Sequence, residues 1–65
     1  MKVKIDKQSD AMFLRLDETP IIESEEVRPG VILDFNKEGK VVGVEILDVS
    51  TRSDDAMKSF FYEVA

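Results

Sequence analysis

The chain has no cysteine, no histidine and no tryptophan. Without cysteine, no disulfide can brace the fold and no thiol nucleophile is available. Without histidine there is no imidazole base, so a serine triad of the usual kind cannot be assembled. Together the two absences remove the thiolate and imidazole ligands of a zinc site. Carboxylates, lysines, hydroxyls and the single tyrosine, Tyr62, are what remains for acid–base work. No apolar run approaches the roughly 20 residues that span a bilayer. The opening MKVKIDKQSD carries no apolar stretch of the kind that directs secretion, so the expected location is cytoplasmic. Positive charge is also scarce: 9 Lys and Arg stand against 14 Asp and Glu, a formal net charge of −5. That balance argues against nucleic acid and against an anionic membrane surface as partners.

What is present fits one small globular domain over residues 1–65. The chain is 43% hydrophobic and 35% charged, which places it outside the disordered class. A chain this short buries only about 60% of its unfolded surface, and many such domains need outside support. With disulfides and zinc excluded, association is the expected support: a homodimer, or a basic protein partner. There is little room for a concave site of a few hundred Å³. An enzyme is therefore not expected, and neither are a metal or a cofactor.

MKVKID alternates Val3 and Ile5 against Lys2, Lys4 and Asp6, and AMFLRLD alternates Met12, Leu14 and Leu16 against Ala11, Phe13 and Arg15. Period-two alternation predicts two strands. The polar KQSD between them predicts a hairpin turn. IIESEEV predicts a third strand, acidic enough to sit at an edge. RPG predicts a type II turn, with Pro29 at its first central position and Gly30 at its second. VILDF and VVGVEILDV predict strands four and five around NKEGK, with Gly39 near the end of that loop. Both strands read as apolar on two sides. Val31, Leu33, Phe35, Val42, Val44 and Ile46 share one side, and Ile32, Val41, Leu47 and Val49 the other, which predicts a central place covered twice. In the tail, Met57, Phe60, Phe61 and Val64 follow helical spacing. Ser53 suits an N-cap, and Asp54 and Asp55 a first turn. This predicts a helix over 53–64 covering one face, with a second copy of the chain covering the other.

Three groups of residues could carry chemistry. Asp34, Asn36, Glu38, Gly39 and Glu45 fit the spacing of a calcium loop. Their flanks are strand-like, however, and a hairpin would lock Asp34 and Glu45 into a ladder. Glu18, Glu23, Glu25 and Glu26 form an acidic group; paired carboxylates can serve glycosidase-type chemistry, but the favoured reading is a solvated edge whose charges prevent aggregation. Asp48, Ser50 and Arg52 could orient a ligand or simply close a strand end. The aromatic run Phe60, Phe61, Tyr62 suits either core or an interface. The candidate interface is thus Ile32, Val41, Leu47, Phe60, Phe61 and Tyr62, with no catalytic residue assigned.

The opening pattern D-x-x-x-D-A-x-x-x-x-L (Asp6, Asp10, Ala11, Leu16) and the later PGVILDFNKEGKVVGVEILDVS resemble short bacterial and archaeal proteins of unknown function, the YuzE-like family. The resemblance covers roughly residues 1–52 and is most specific in the second hairpin. Met12 and Phe13 stand where members usually show Leu and Tyr. It implies a small β-meander with an optional C-terminal helix, and it carries no known activity or site residues. Some relatives resemble the antitoxin half of toxin–antitoxin pairs, which implies a basic partner, although this chain shows no DNA-binding segment. The expected fold is therefore α+β: a five-stranded, mainly antiparallel β-meander followed by one C-terminal α-helix packed on the sheet. The expected function is a non-enzymatic protein–protein interaction module, possible antitoxin-like action included. A self-scaffolding homo-oligomer and a carboxylate- or metal-dependent small enzyme are the alternatives.

Overall fold

The computed structural model describes all 65 residues, Met1–Ala65. It contains five strands: β1 (Lys2–Asp6), β2 (Ala11–Arg15), β3 (Glu23–Arg28), β4 (Val31–Phe35) and β5 (Val41–Ile46). One 3-10 turn follows at Val49–Thr51. All strand pairs are antiparallel, in the order β1-β2-β5-β4-β3.

Each turn has a local chemical cause. Between β1 and β2, Asp6 Oδ1 accepts the backbone N–H groups of Gln8 (3.1 Å) and Ser9 (3.3 Å). Between β3 and β4, Gly30 takes a φ of 76°, which a side chain would resist. Between β4 and β5, the Asn36 side-chain oxygen accepts the N–H groups of Glu38 (3.0 Å) and Lys40 (3.1 Å). Those bonds make Asn36 an Asx-type turn former. The calcium-loop spacing is thus occupied by a hairpin, with Asp34 and Glu45 in neighbouring strands.

The meander expectation fails on strand order. In a meander β2 would pair with β3; here β2 pairs with β5, and the segment after β2 carries the chain to the far edge. Burial explains the exchange. β5, which holds the buried Val42 and Gly43, takes the middle; the acidic β3 gains least from burial and takes an edge. The connection is tied down along its length. Leu16 N–H donates to Val42 O at 2.7 Å and Ile22 N–H to Phe35 O at 2.9 Å. Arg15 reaches over to donate to the carbonyls of Asp17 (2.6 Å) and Thr19 (2.5 Å).

The C-terminal helix is absent. Residues 55–59 make a single turn, in which Lys58 and Ser59 N–H both donate to Asp55 O. Phe60–Ala65 have no regular structure. Ser53 donates its hydroxyl to Asp55 Oδ1 instead of capping a backbone. Helix nucleation is costly, and about 12 residues rich in serine and aromatics do not recover that cost without a broad packed face.

Register assigns the two sheet faces, because directly paired residues point the same way. Val3, Ile5, Met12, Leu14, Val44, Ile46, Val31 and Leu33 form one apolar face. The other carries Lys2, Lys4, Arg15, Glu45, Asp34, Ser24 and Glu26, with Phe13 and Ile32 among them. The expectation of two apolar faces is thus corrected: Gly43, Glu45 and Asp34 make the second face polar. The sheet is a single layer, 36 × 30 × 20 Å overall. Its radius of gyration is 12.6 Å, against about 10.7 Å for a compact chain of this length. Ala11, Val42 and Val49 are the buried apolar residues, and no large side chain is fully enclosed. No helix is long and apolar enough to cross a membrane.

Candidate functional site

Two surfaces can do something chemically: the cleft on the polar face and the bare apolar face.

The cleft, of about 410 Å³, lies over β2, β5 and β4. Asp34 projects into it from β4 yet is only 4% exposed. It lies flat because its neighbour on β5 is Gly43: a Cβ there would sit 2.8 Å from Asp34 Oδ2. Ser24, directly opposite on β3, donates its hydroxyl to Asp34 Oδ1 at 2.6 Å. Glu45 enters the same cleft from β5. Burial pushes the Glu45 carboxyl above its ordinary value, and a hydrogen bond to Asp34 and the charge of Asp34 push it the same way. Glu45 thus holds a proton more readily than an isolated glutamate does. Lys2 and Glu18 form an ion pair of 3.3 Å at the rim, and Lys4 stands 5.9 Å from the Phe13 ring centre. A carboxyl raised as Glu45 is can give or take a proton. No cluster of three or more metal-ligating side chains occurs anywhere in the chain.

The apolar face is lined by Val3, Met12, Leu14, Val44 and Ile46, and Phe60 of the tail closes a groove of about 380 Å³ over them. Phe60 itself remains 57% exposed, and Phe61 next to it 83%. Tyr62 and Val64 are also exposed.

The residues singled out from sequence do not make one patch. Ile32 lies on the polar face, opposite Glu45. Val41 pairs with Phe35 beside a bulge at the far end of β5. Leu47 lines an open groove under the Pro29–Gly30 turn. Phe60, Phe61 and Tyr62 belong to the tail, and Phe60 alone of them lines the apolar groove. Glu23, Glu25 and Glu26 lie along the β3 edge, exposed to solvent. Ser50 and Arg52 work structurally. Ser50 donates backbone and hydroxyl bonds to Asp10, at 3.0 and 2.7 Å. Arg52 donates to Leu47 O (3.0 Å) and Pro29 O (2.8 Å). Ser24, which bonds Asp34, and Gly43, which makes room for it, are participants that sequence reasoning missed.

No curated protein and no solved structure is significantly similar to the chain. A family described as "Protein of unknown function (DUF2283)" matches residues 2–50, which span all five strands and end at the 3-10 turn. The tail after Ser50 lies outside the match. The sheet, without its tail, is thus what the chain shares with that family, and the protein belongs to the DUF2283 family.

Proposed function

We propose that the chain is a non-enzymatic protein–protein interaction module, resident in the cytoplasm, whose apolar sheet face is covered by a protein partner. One observation carries this reading: a five-stranded sheet with a continuous apolar face and no second layer over it. Contiguous apolar surface of this extent marks interaction sites in soluble proteins. The YuzE-like resemblance and an antitoxin-like role belong to the same reading. The acidic edge Glu23, Glu25 and Glu26 is suited to steering a basic protein toward the sheet.

The test compares the native-size assembly in lysate of the wild type with that of Leu14→Glu and Val44→Glu, both on the apolar face. Lys4→Glu on the polar face is the control. The reading expects an assembly above 7.4 kDa that the two face variants lose and the control keeps. A wild type migrating as a free chain would end it.

A second reading has one observation in its favour. Asp34 and Glu45 share a cleft, and burial there raises the Glu45 carboxyl above its ordinary value, as a carboxyl acting in acid–base chemistry requires. Turnover by purified protein that Glu45→Gln abolishes would establish it.

A further inference from the structure

Resting on the interaction reading above, we infer that the covering partner is a second copy of the chain, packed apolar face to apolar face about a two-fold axis that runs along β5.

Size sets how much of the molecule the contact takes. The whole chain extends 36 × 30 × 20 Å, and a stable interface takes about 800 Å² from each partner, so a second copy rests on most of the broad side of the slab, sheet and tail together.

Shape selects the axis. β5 is the middle strand of five, so an axis along it lays β5 on its counterpart and β1–β2 over β4–β3 of the other copy. The strands of the two sheets then run in nearly the same direction, as in aligned sheet packing. The face is not uniform across its width. Phe60 stands over the β1, β2 and β5 side, where it meets Val3, Met12 and Leu14. Val31 and Leu33, on β4, lie outside that groove. An axis along β5 brings the tail-covered half of each copy onto the bare half of the other. The alternative two-fold axis, across the strands, would set Phe60 against Phe60 and leave the bare halves facing each other.

Charge points the same way. Glu23 and Glu25 flank the apolar face on the β3 side, opposite Phe35 and Leu33, with the single cation Arg28 at the turn end of the strand, opposite Val31. Lys7 and Lys58 flank it on the β1 side, where they line a groove with Ile5 and Phe60. The axis along β5 puts the acidic flank of one copy over the basic flank of the other, twice. The axis across the strands puts acid on acid and base on base. Complementary rims of this kind set the register of an interface.

The experiment uses two measurements on purified protein. Sedimentation equilibrium should give twice the chain mass of 7.4 kDa, falling to the single-chain mass in Val44→Glu. The chain has no cysteine of its own, so single-cysteine variants report contacts cleanly. Val44→Cys, a mild change near the axis, should form a covalent dimer with a short bismaleimide; Lys4→Cys on the polar face and Val3→Cys far from the axis should not. Crosslinking of Val3→Cys to itself as readily as Val44→Cys would overturn the axis, because Val3 and Val44 share one row across the sheet and an axis across the strands would bring both onto their counterparts. A dimer that crosslinks through Lys4→Cys would overturn the face. A monomeric purified protein would overturn the second copy as partner. In that case an assembly persisting in lysate leaves the interaction reading standing, and its absence there removes both.

Discussion

Asp34 is unusual for a carboxylate in so small a protein. It is nearly inaccessible, its one hydrogen-bond donor is a serine hydroxyl, and its closest ionisable neighbour is another carboxylate, not a cation. The consequence falls on Glu45 and has a definite sign. A carboxyl raised in the folded state contributes stability fully below its ordinary value, and that contribution is lost as pH rises through the raised value. Asp6 and Asp17 behave oppositely. The Ser9 backbone N–H holds Asp6 low, and hydrogen bonds from Thr19, side chain first, hold Asp17 low. Their contributions are present above the ordinary carboxylate value and lost as pH falls through the lowered ones. Glu45→Gln should therefore melt higher than wild type near pH 7.5 and match it near pH 4, read from thermal melts across that range. Equal gains at both ends would exclude the raised Glu45 carboxyl as the cause. Gly43 carries the same site sterically. Gly43→Ala places a methyl 2.8 Å from Asp34 Oδ2 and 3.2 Å from its Cβ. Asp34 must then leave Ser24, and the expected cost is about 1–3 kcal/mol, measured by urea unfolding. A neutral Gly43→Ala would show that the close approach is slack.

Among the elements, the turn between β3 and β4 depends on a residue far along the chain. Arg52 spans from Leu47 O to Pro29 O, and its Nη2 fills the space that a Cβ on Gly30 would need, 2.6 Å away. Arg52→Ala should cost about 1 kcal/mol. Arg52→Lys should restore little of it, because an ammonium cannot reproduce the two-pronged geometry; full rescue by lysine would argue for charge alone. The same turn shows what a sequence can and cannot disclose. Strand positions were legible because alternation and turn residues are local signals. Strand order was not, since the choice of β5 over β3 as the partner of β2 is a long-range matter of which strand, the acidic β3 or the largely apolar β5, gains from a central place. The helix failed for the converse reason: Met57, Phe60, Phe61 and Val64 satisfy the helical period, yet no broad surface holds them in it. The cleft was half legible. Asp34 and Glu45 stood out by spacing, but Ser24 did not. A regular hairpin closed at Pro29–Gly30 would set Ser24 opposite Phe35 and turn it to the apolar face. The irregularity between Glu26 and Arg28 moves it opposite Asp34. A one-residue slip reverses the side on which every following side chain lies, and nothing in ESEEVRPG announces that slip.

Taken as a whole, the molecule is a slab with too little interior to be strongly stable alone. If a second copy supplies the missing layer, folding and association are linked by mass action. The thermal midpoint should then rise with protein concentration over the micromolar to millimolar range, in scans at matched rates. A midpoint independent of concentration would place the stability within the single chain. The polar and apolar faces answer to different agents, so salt should alter the rims far more than the centre.

The central place of β5 has a further consequence, in time. Synthesis delivers two hairpin halves first, β1–β2 and then β3–β4, and neither touches the other until β5 lies between them. Met12 finds its partner only when Ile46 exists, 34 positions later in the chain. Closing so long a loop is slow relative to forming either hairpin. Until β5 is made the chain carries open strand borders, first on β2 and then also on β4, that the finished sheet conceals. The last strand made is the one that commits the rest, and any delay in making it prolongs the exposure of both.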